Sequence, residues 1–159
     1  MAGPIHLWFH ATYSAPYKGG GFAWVRSMDG ELSGGAGGER NITFERLELT
    51  GLSSAVPGLV AGTPLIIHTA NSRLAILERL VAGEAGSDAL EADLDLWARL
   101  VSGLGKRPLK VAIGQATPNT ALGFVSAWAE LGRDKAKGGA FKAAIPKSNL
   151  LRSANLLKV

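Results

Sequence analysis

Three histidines and several carboxylates are the side chains of this sequence whose chemistry suits metal binding or proton transfer. The histidines are His6, His10 and His68. Imidazole nitrogens bind transition metals such as Zn²⁺ and Fe²⁺, and two histidines with one carboxylate form a recurring ligand set. The chain has no cysteine, so disulfides and thiolate metal sites are excluded. Any metal site must therefore use histidine and carboxylate groups.

The element that positions the first two histidines is a β-strand. Residues 5–13 alternate in hydrophobicity with a period of two, which predicts an extended segment. Leu7 and Phe9 fall on one face of this strand. His6 and His10 share the other face, but at about 3.3 Å per residue they are a full strand segment apart. This spacing counts against both of them binding one ion.

The rest of the chain predicts an antiparallel meander followed by β-α units. Apolar periodicity, caps and breakers predict strands at 20–28, 31–38, 65–69 and 109–113, and helices at 44–59, 73–82, 93–104 and 119–137. The glycine content of 31–38 favours an edge strand or a bulge. This order of elements predicts an α/β fold with a mixed sheet covered by helices.

Three short motifs occur in order along the chain, in the predicted strand 20–28 and the predicted helices 44–59 and 93–104. They are Gly20-Gly21-Phe22-Ala23, Arg46-Leu47-Glu48-Leu49 and Leu94-Asp95-Leu96-Trp97-Ala98-Arg99-Leu100. With the element order, they resemble the type 1 ribonuclease H family over roughly residues 5–137. The resemblance implies a ribonuclease H-like five-stranded mixed sheet in the order 3-2-1-4-5, flanked by helices. It also implies a domain at 1–137 and a basic, partly apolar tail at 138–159.

The resemblance further implies that the active site is degenerate. Active members of the family hold two divalent metals with four carboxylates, and Mg²⁺ needs such oxygen ligands. Carried over by position, only one carboxylate is retained, as Glu48; the other three positions hold His10, Ala70 and Phe124, and Gln115 replaces the family's mobile histidine. The implied protein is a pseudoenzyme that does not cleave RNA–DNA hybrids, binds nucleic acid or protein, and needs no cofactor.

The alternative is a weak or unusual metal-dependent endoribonuclease that acts on RNA–DNA hybrids. The resemblance places His68 on the strand beside His10 and near Glu48, so these three are its candidate metal ligands. Only this alternative requires Mg²⁺ or Mn²⁺. The competing interpretation is that the histidines drifted into place once carboxylate ligands were no longer needed.

Positive charge is concentrated at the C-terminal end of the chain. The net charge is +4, and residues 135–159 carry six basic residues and no acidic one. Such a segment suits phosphate contact and predicts nucleic-acid binding, through Lys135, Lys137, Lys142, Lys147 and Arg152. A solubilising terminus is the alternative. Apolar residues in the same segment favour docking on the domain or self-association, which makes a protein partner or a homodimer the other expectation.

The location of the protein is predicted from two missing patterns. The N-terminus lacks the basic stretch and apolar run of a signal peptide. No apolar stretch is long enough to span a bilayer. We therefore expect a cytoplasmic protein without a membrane partner.

Overall fold

The computed structural model describes residues 3–158. Its strands are β1 (Ile5–Ser14), β2 (Gly19–Met28), β3 (Glu31–Glu39), β4 (Leu65–Thr69), β5 (Leu109–Ile113) and β6 (Phe141–Ala144). They form one mixed sheet in the order β5-β4-β1-β2-β3-β6. The pairs from β1 through β2 and β3 to β6 are antiparallel, whereas β4 and β5 continue from β1 as parallel strands.

Five α-helices pack around this sheet within residues 3–158. They are α1 (Phe44–Ser54), α2 (Leu77–Val81), α3 (Leu94–Leu104), α4 (Ala121–Ala136) and α5 (Lys147–Arg152). Hydroxyl caps begin two of them, because Thr43 accepts from the Arg46 N–H at the start of α1 and Thr120 accepts from the Gly123 N–H at the start of α4. No helix within 3–158 is long and apolar enough to cross a membrane.

Two helices differ from the prediction. α1 ends at Ser54 instead of Leu59, because Pro57 cannot donate the backbone hydrogen bond that a continuing helix needs. The helix predicted at 73–82 begins as a 3-10 helix, Ser72–Ile76, and becomes α-helical only at α2. These corrections shift boundaries and leave the order of the elements unchanged.

The sheet separates two hydrophobic cores. Leu7 and Phe9 of β1 point into the core formed with α1, α2 and α3. Trp8 points the other way, into the core formed with α4 and the C-terminal segment. The predicted alternation of the first strand is therefore confirmed.

The sixth strand is the main addition to the predicted sheet. The predicted five-strand order is present, and β6 extends it by pairing with residues 35–38 of β3. β3 is thus paired on both sides there, which corrects the prediction of an edge strand. Beyond β6, Ile145, Leu150 and Leu157 are buried against the α4 side of the sheet. The domain boundary at residue 137 stays a prediction.

Glycines in β2 and β3 allow α4 to lie directly on the sheet. A Cβ at Gly21 would overlap the backbone of α4 at Ala129 and Arg133, and a Cβ at Gly132 would overlap the Gly37 carbonyl oxygen. The backbone of α4 is in direct contact with the backbone of the sheet here, so no side chain fits between them. Gly38 therefore serves the packing of α4, whereas Gly35 and Gly37 accommodate the Trp24 and Phe22 rings on the other face. β3 pairs with β2 without a break, so the predicted bulge is absent from this segment.

Candidate functional site

Glu48 is a buried carboxylate whose two oxygens are both engaged. It lies on α1, and its side chain is 2% exposed. Asn71 Nδ2 donates to Oε2 over 2.7 Å, and Arg73 Nη2 donates to Oε1 over 2.8 Å. Charge-assisted contacts of this length are among the stronger hydrogen bonds in proteins. The retained carboxylate is therefore tied to two residues that follow β4.

The loop after β4 holds those two partners in place. Asn71 Oδ1 accepts from the Arg73 N–H over 3.1 Å, and Thr69 Oγ1 accepts from the Asn71 N–H over 3.2 Å. Asn71 thus caps the 3-10 helix with its side-chain oxygen, while its amide nitrogen reaches Glu48. The Arg73 guanidinium lies 5.4 Å from the centroid of the Trp97 ring, a cation–π distance.

The surroundings of Glu48 have two opposing effects on the pKa of its carboxyl group. Burial raises the pKa of the Glu48 carboxyl, and the hydrogen bonds from Asn71 and Arg73 together with the Arg73 charge oppose that rise. Desolvation raises the pKa of any buried carboxylate, whereas the effects that lower the pKa of Glu48 come from Asn71 and Arg73. Loss of Arg73 would therefore leave an unfavourable buried charge.

The histidines divide into a pair and a single residue. His6 Nδ1 and His68 Nε2 are 2.9 Å apart, and both rings lie beside Trp8, with centroids 5.8 and 5.2 Å away. Burial lowers the pKa of His6, and burial with the charges of His6 and Lys110 lowers the pKa of His68 to about 4. The two rings therefore share one hydrogen bond as neutral groups.

His10 lies apart from that pair. Burial lowers its pKa, and the charge of Glu130 on α4 partly opposes the effect. His10 and His68 project toward the α4 side of the sheet, whereas Glu48 reaches its partners from α1 on the other side. No group of three His, Cys, Asp or Glu side chains that could hold a metal occurs among residues 3–158, so the expected set of Glu48, His10 and His68 is not brought together there.

The remaining carried-over positions hold no acid. Ala70 is exposed directly after β4, and Phe124 packs in the first turn of α4 against the second core. Gln115 lies in the loop after β5 and lines a small cavity of about 220 Å³ with Trp8 and His68. The residue that sequence reasoning missed is Arg73, because no local pattern indicates that it pairs with Glu48, 25 positions earlier.

The predicted nucleic-acid-binding residues are exposed but do not form one surface. Lys135 and Lys137 lie at the end of α4, and Lys147 and Arg152 lie on α5. Lys142 of β6 is directly opposite Gly37 and therefore faces the α1 side of the sheet. The Lys135 ammonium lies 5.5 Å from the Phe141 ring centroid.

Comparison with known proteins links this geometry to one fold. No family model matches the chain, and no curated protein matches its sequence. Among solved structures, the N-terminal RNase H domain of rv2228c from Mycobacterium tuberculosis is 12% identical with a TM-score of 0.61, covering 85% of this chain and 96% of its own. RNase H1 from Halobacterium salinarum is 17% identical with a TM-score of 0.53, covering 84% of this chain and 99% of its own.

A third solved structure covers nearly all of the chain. LC9-RNase H1, described as a type 1 RNase H with the type 2 active-site motif, is 13% identical with a TM-score of 0.63. The match covers 97% of this chain and 82% of that chain. At these identities the likeness concerns architecture alone. The chain has the ribonuclease H-like fold, extended by a sixth strand.

Proposed function

We propose that this chain is a ribonuclease H-like pseudoenzyme that does not cleave RNA–DNA hybrids and works as a nucleic-acid- or protein-binding module. The observation that carries the proposal is that each oxygen of the Glu48 carboxylate accepts a hydrogen bond, from Asn71 at 2.7 Å and from Arg73 at 2.8 Å. A divalent ion at Glu48 would compete with a guanidinium that is already paired with the carboxylate. It would also lie close to the Arg73 cation, which Coulomb repulsion opposes.

The other carried-over positions support the same conclusion. Two-metal hydrolysis requires several oxygen ligands around ions about 4 Å apart. Ala70 and Phe124 have no polar side-chain atom, and His10 offers only nitrogen. One glutamate with an arginine counter-ion does not replace that ligand set.

The binding role rests on the fold and on surface charge. Solved structures with this fold are described as RNase H proteins, whose substrate is a nucleic acid. The exposed cations of the C-terminal segment would supply sequence-independent phosphate contacts, which weaken as salt is raised. A protein partner or a homodimer through the same segment is the other form of the binding role.

A weak metal-dependent RNA–DNA hybrid ribonuclease is the second candidate. In its favour, one similar structure is described as a type 1 RNase H with a different active-site motif. It would use Glu48 with His10 and His68, and it would need Mg²⁺ or Mn²⁺. The placement of Glu48 and the histidines on opposite sides of the sheet weakens this candidate.

One titration separates the two candidates. A labelled RNA–DNA hybrid is incubated with the protein in Mg²⁺ or Mn²⁺, and cleavage and binding are read from the same samples, beside an active ribonuclease H. We expect salt-sensitive binding without cleavage, and an identical result for Glu48→Gln. Cleavage that disappears in Glu48→Gln would overturn the pseudoenzyme proposal. Absence of both binding and cleavage would direct the search to protein partners.

A further inference from the structure

An open groove lies on the α1 side of the sheet, above its outer strands. α4 and the C-terminal segment cover the opposite side of β3 and β6. On the α1 side, cross-strand pairing aligns Phe22 with Gly37 and Gly37 with Lys142, so the three residues share this face. α1 packs on Phe22 at Gly51, where a Cβ would stand 2.5 Å from the ring. The strands beyond Phe22 are therefore left open between α1 and the edge of the sheet.

The groove consists of two adjoining cavities of ligand-binding size. The larger measures about 540 Å³ and lies between α1 and β6. The smaller measures about 350 Å³ and continues over Gly35 and Trp24. Phe22, Ser54 and Lys142 line both, so the two form one trough. Ligand sites in proteins commonly range from about 300 to 1,000 Å³.

Glycines form the floor of the trough and aromatic rings lie against them. A Cβ at Gly35 would stand 3.0 Å from three atoms of the Trp24 indole, and a Cβ at Gly37 would stand 2.6 Å from Cζ of Phe22. Only glycine allows the rings to rest on the strand in this way. The result is a concave surface with the partly exposed Trp24 ring at its base, next to the buried Phe22.

The rim of the trough is mainly cationic. Arg99 and Lys142 are exposed and line the larger cavity, where Glu39 is the one acidic lining residue. Arg26 lies 5.4 Å from the Trp24 ring centroid, and its guanidinium is fixed by bonds of 3.0 and 2.7 Å to the carbonyl oxygens of Ala55 and Pro57. Positive charge at the rim and aromatic surface below it match a ligand with phosphates outside and planar bases inside.

We propose that this trough binds a single-stranded nucleic acid, with bases against the partly exposed Trp24 ring and phosphates at Arg99 and Lys142. The proposal rests on the nucleic-acid-binding form of the proposed function and specifies the strand class and the surface. Aromatic side chains next to a basic groove are the means by which proteins bind single strands without sequence preference. A duplex keeps its bases stacked inside and offers no free base faces to such a trough.

Fluorescence anisotropy with labelled rU12 and dT12 tests the proposal on the full chain. We expect the double variant Arg99→Glu/Lys142→Glu to bind at least tenfold more weakly than the wild type at low salt, with a shallower salt dependence. Trp24→Leu should weaken binding and leave the salt dependence unchanged, because it removes aromatic surface and no charge. The control is Lys110→Glu on β5, at the opposite edge of the sheet; it is matched in charge to each single variant, Arg99→Glu and Lys142→Glu, and should stay within about twofold of the wild type. Melting curves verify that each variant is folded.

The outcomes separate this proposal from the proposed function. Salt-sensitive hybrid binding that is unaffected by Arg99→Glu/Lys142→Glu, without single-strand binding, would overturn the trough and leave the pseudoenzyme proposal standing. Equal losses of affinity for Arg99→Glu/Lys142→Glu and for Lys110→Glu would also overturn the trough proposal, because binding would then depend on the charge of the protein and not on this surface. Binding of a mononucleotide but of neither oligomer would assign the trough to a small ligand. Failure of every nucleic acid to bind would overturn both nucleic-acid proposals.

Discussion

The Arg73 guanidinium donates to the Glu48 carboxylate over 2.8 Å, and this contact joins α1 to the loop that follows β4. Of the four ion pairs formed among residues 3–158, it is the one with a fully buried carboxylate. A buried charge depends on its partner, because the partner replaces the hydration that burial removes. The pair therefore has a structural role at the position where the family resemblance implies a metal ligand.

Removal of Arg73 should destabilise the protein in a pH-dependent manner. For Arg73→Met we expect a loss of about 2 kcal/mol at pH 7, below the value for a fully buried pair because the Arg73 side chain is 35% exposed. Burial already raises the pKa of Glu48, and loss of Arg73 raises it further. A carboxyl whose pKa is raised by folding lowers the stability of the protein as pH rises from its unfolded pKa to its folded pKa. The stability difference between the wild type and Arg73→Met should therefore shrink near pH 4. Urea unfolding at both pH values measures it.

The matched control for that experiment is Arg46→Met. Arg46 also bonds carboxylates, those of Asp93 and Asp95, but its ion pairs lie at the surface. Exposed ion pairs contribute little to stability, so this variant should lose clearly less than Arg73→Met. A similar loss for both variants, or a loss for Arg73→Met that is equal at pH 4 and pH 7, would refute a special role for the buried pair.

The His6–His68 pair predicts a loss of stability in acid. The pKa of His68 is lowered to about 4 in the folded protein, against about 6.5 in an unfolded chain. A histidine with a lowered folded pKa contributes stability that is fully present above pH 6.5 and is lost as pH falls toward 4. Because the ring is partly exposed, we expect a contribution of about 1–2 kcal/mol after solvent screening.

NMR titration and unfolding measure this effect together. The ring protons of His68 should shift with a midpoint near pH 4, and His68→Gln should lose less stability than the wild type between pH 7 and pH 4.5. A midpoint close to 6.5 for His68 would show that its ring is solvated and that the pair does not form in solution.

The sequence predicted the parts of this structure that depend on local pattern. Alternation in residues 5–13 assigned Leu7 and Phe9 to one core, and the predicted helix at 44–59 starts at Phe44, where α1 begins. Element order and three short motifs were sufficient for the fold. Each of these signals is carried by residues close together in the chain.

The features that the sequence did not predict depend on contacts between distant residues. Arg73 and Glu48 are 25 positions apart, and nothing in either segment indicates which arginine meets which carboxylate. β6 has four residues, Phe141–Ala144, too few for a periodic signal, and its partner β3 is more than a hundred residues earlier. The glycines of β3 were assigned to an edge or bulge because their partners, the α4 backbone at Gly38 and the β2 rings at Gly35 and Gly37, come together only in the folded sheet.

Close packing of α4 on the sheet predicts that Gly132 does not tolerate a methyl group. In Gly132→Ala the new Cβ would overlap the Gly37 carbonyl oxygen, a backbone atom that cannot rotate away. We expect a loss of about 2 kcal/mol in the free energy of unfolding, although alanine favours helix. Gly138→Ala is the control, because its Cβ would meet nothing closer than the Lys135 carbonyl at 3.8 Å. Equal stability of the two variants in urea would contradict the packing of α4.

Docking of the C-terminal segment predicts unequal effects for neighbouring leucines. Leu150 and Leu157 are each 1% exposed in the second core, whereas Leu151 is 64% exposed. Leu150→Ala and Leu157→Ala should each lower the free energy of unfolding by about 2–4 kcal/mol. Leu151→Ala changes the same atoms at the surface and should cost less than about 0.5 kcal/mol. Thermal and urea unfolding give the comparison.

Light scattering on the same variants separates docking within one chain from self-association. If the segment packs on its own domain, Leu150→Ala lowers stability and leaves the molecular mass in solution unchanged, because the substitution then removes packing within one chain. If the segment instead joins two copies, the variant dissociates a dimer and its melting temperature depends on protein concentration. The burial of Ile145, Leu150 and Leu157 within a single chain leads us to expect the first result.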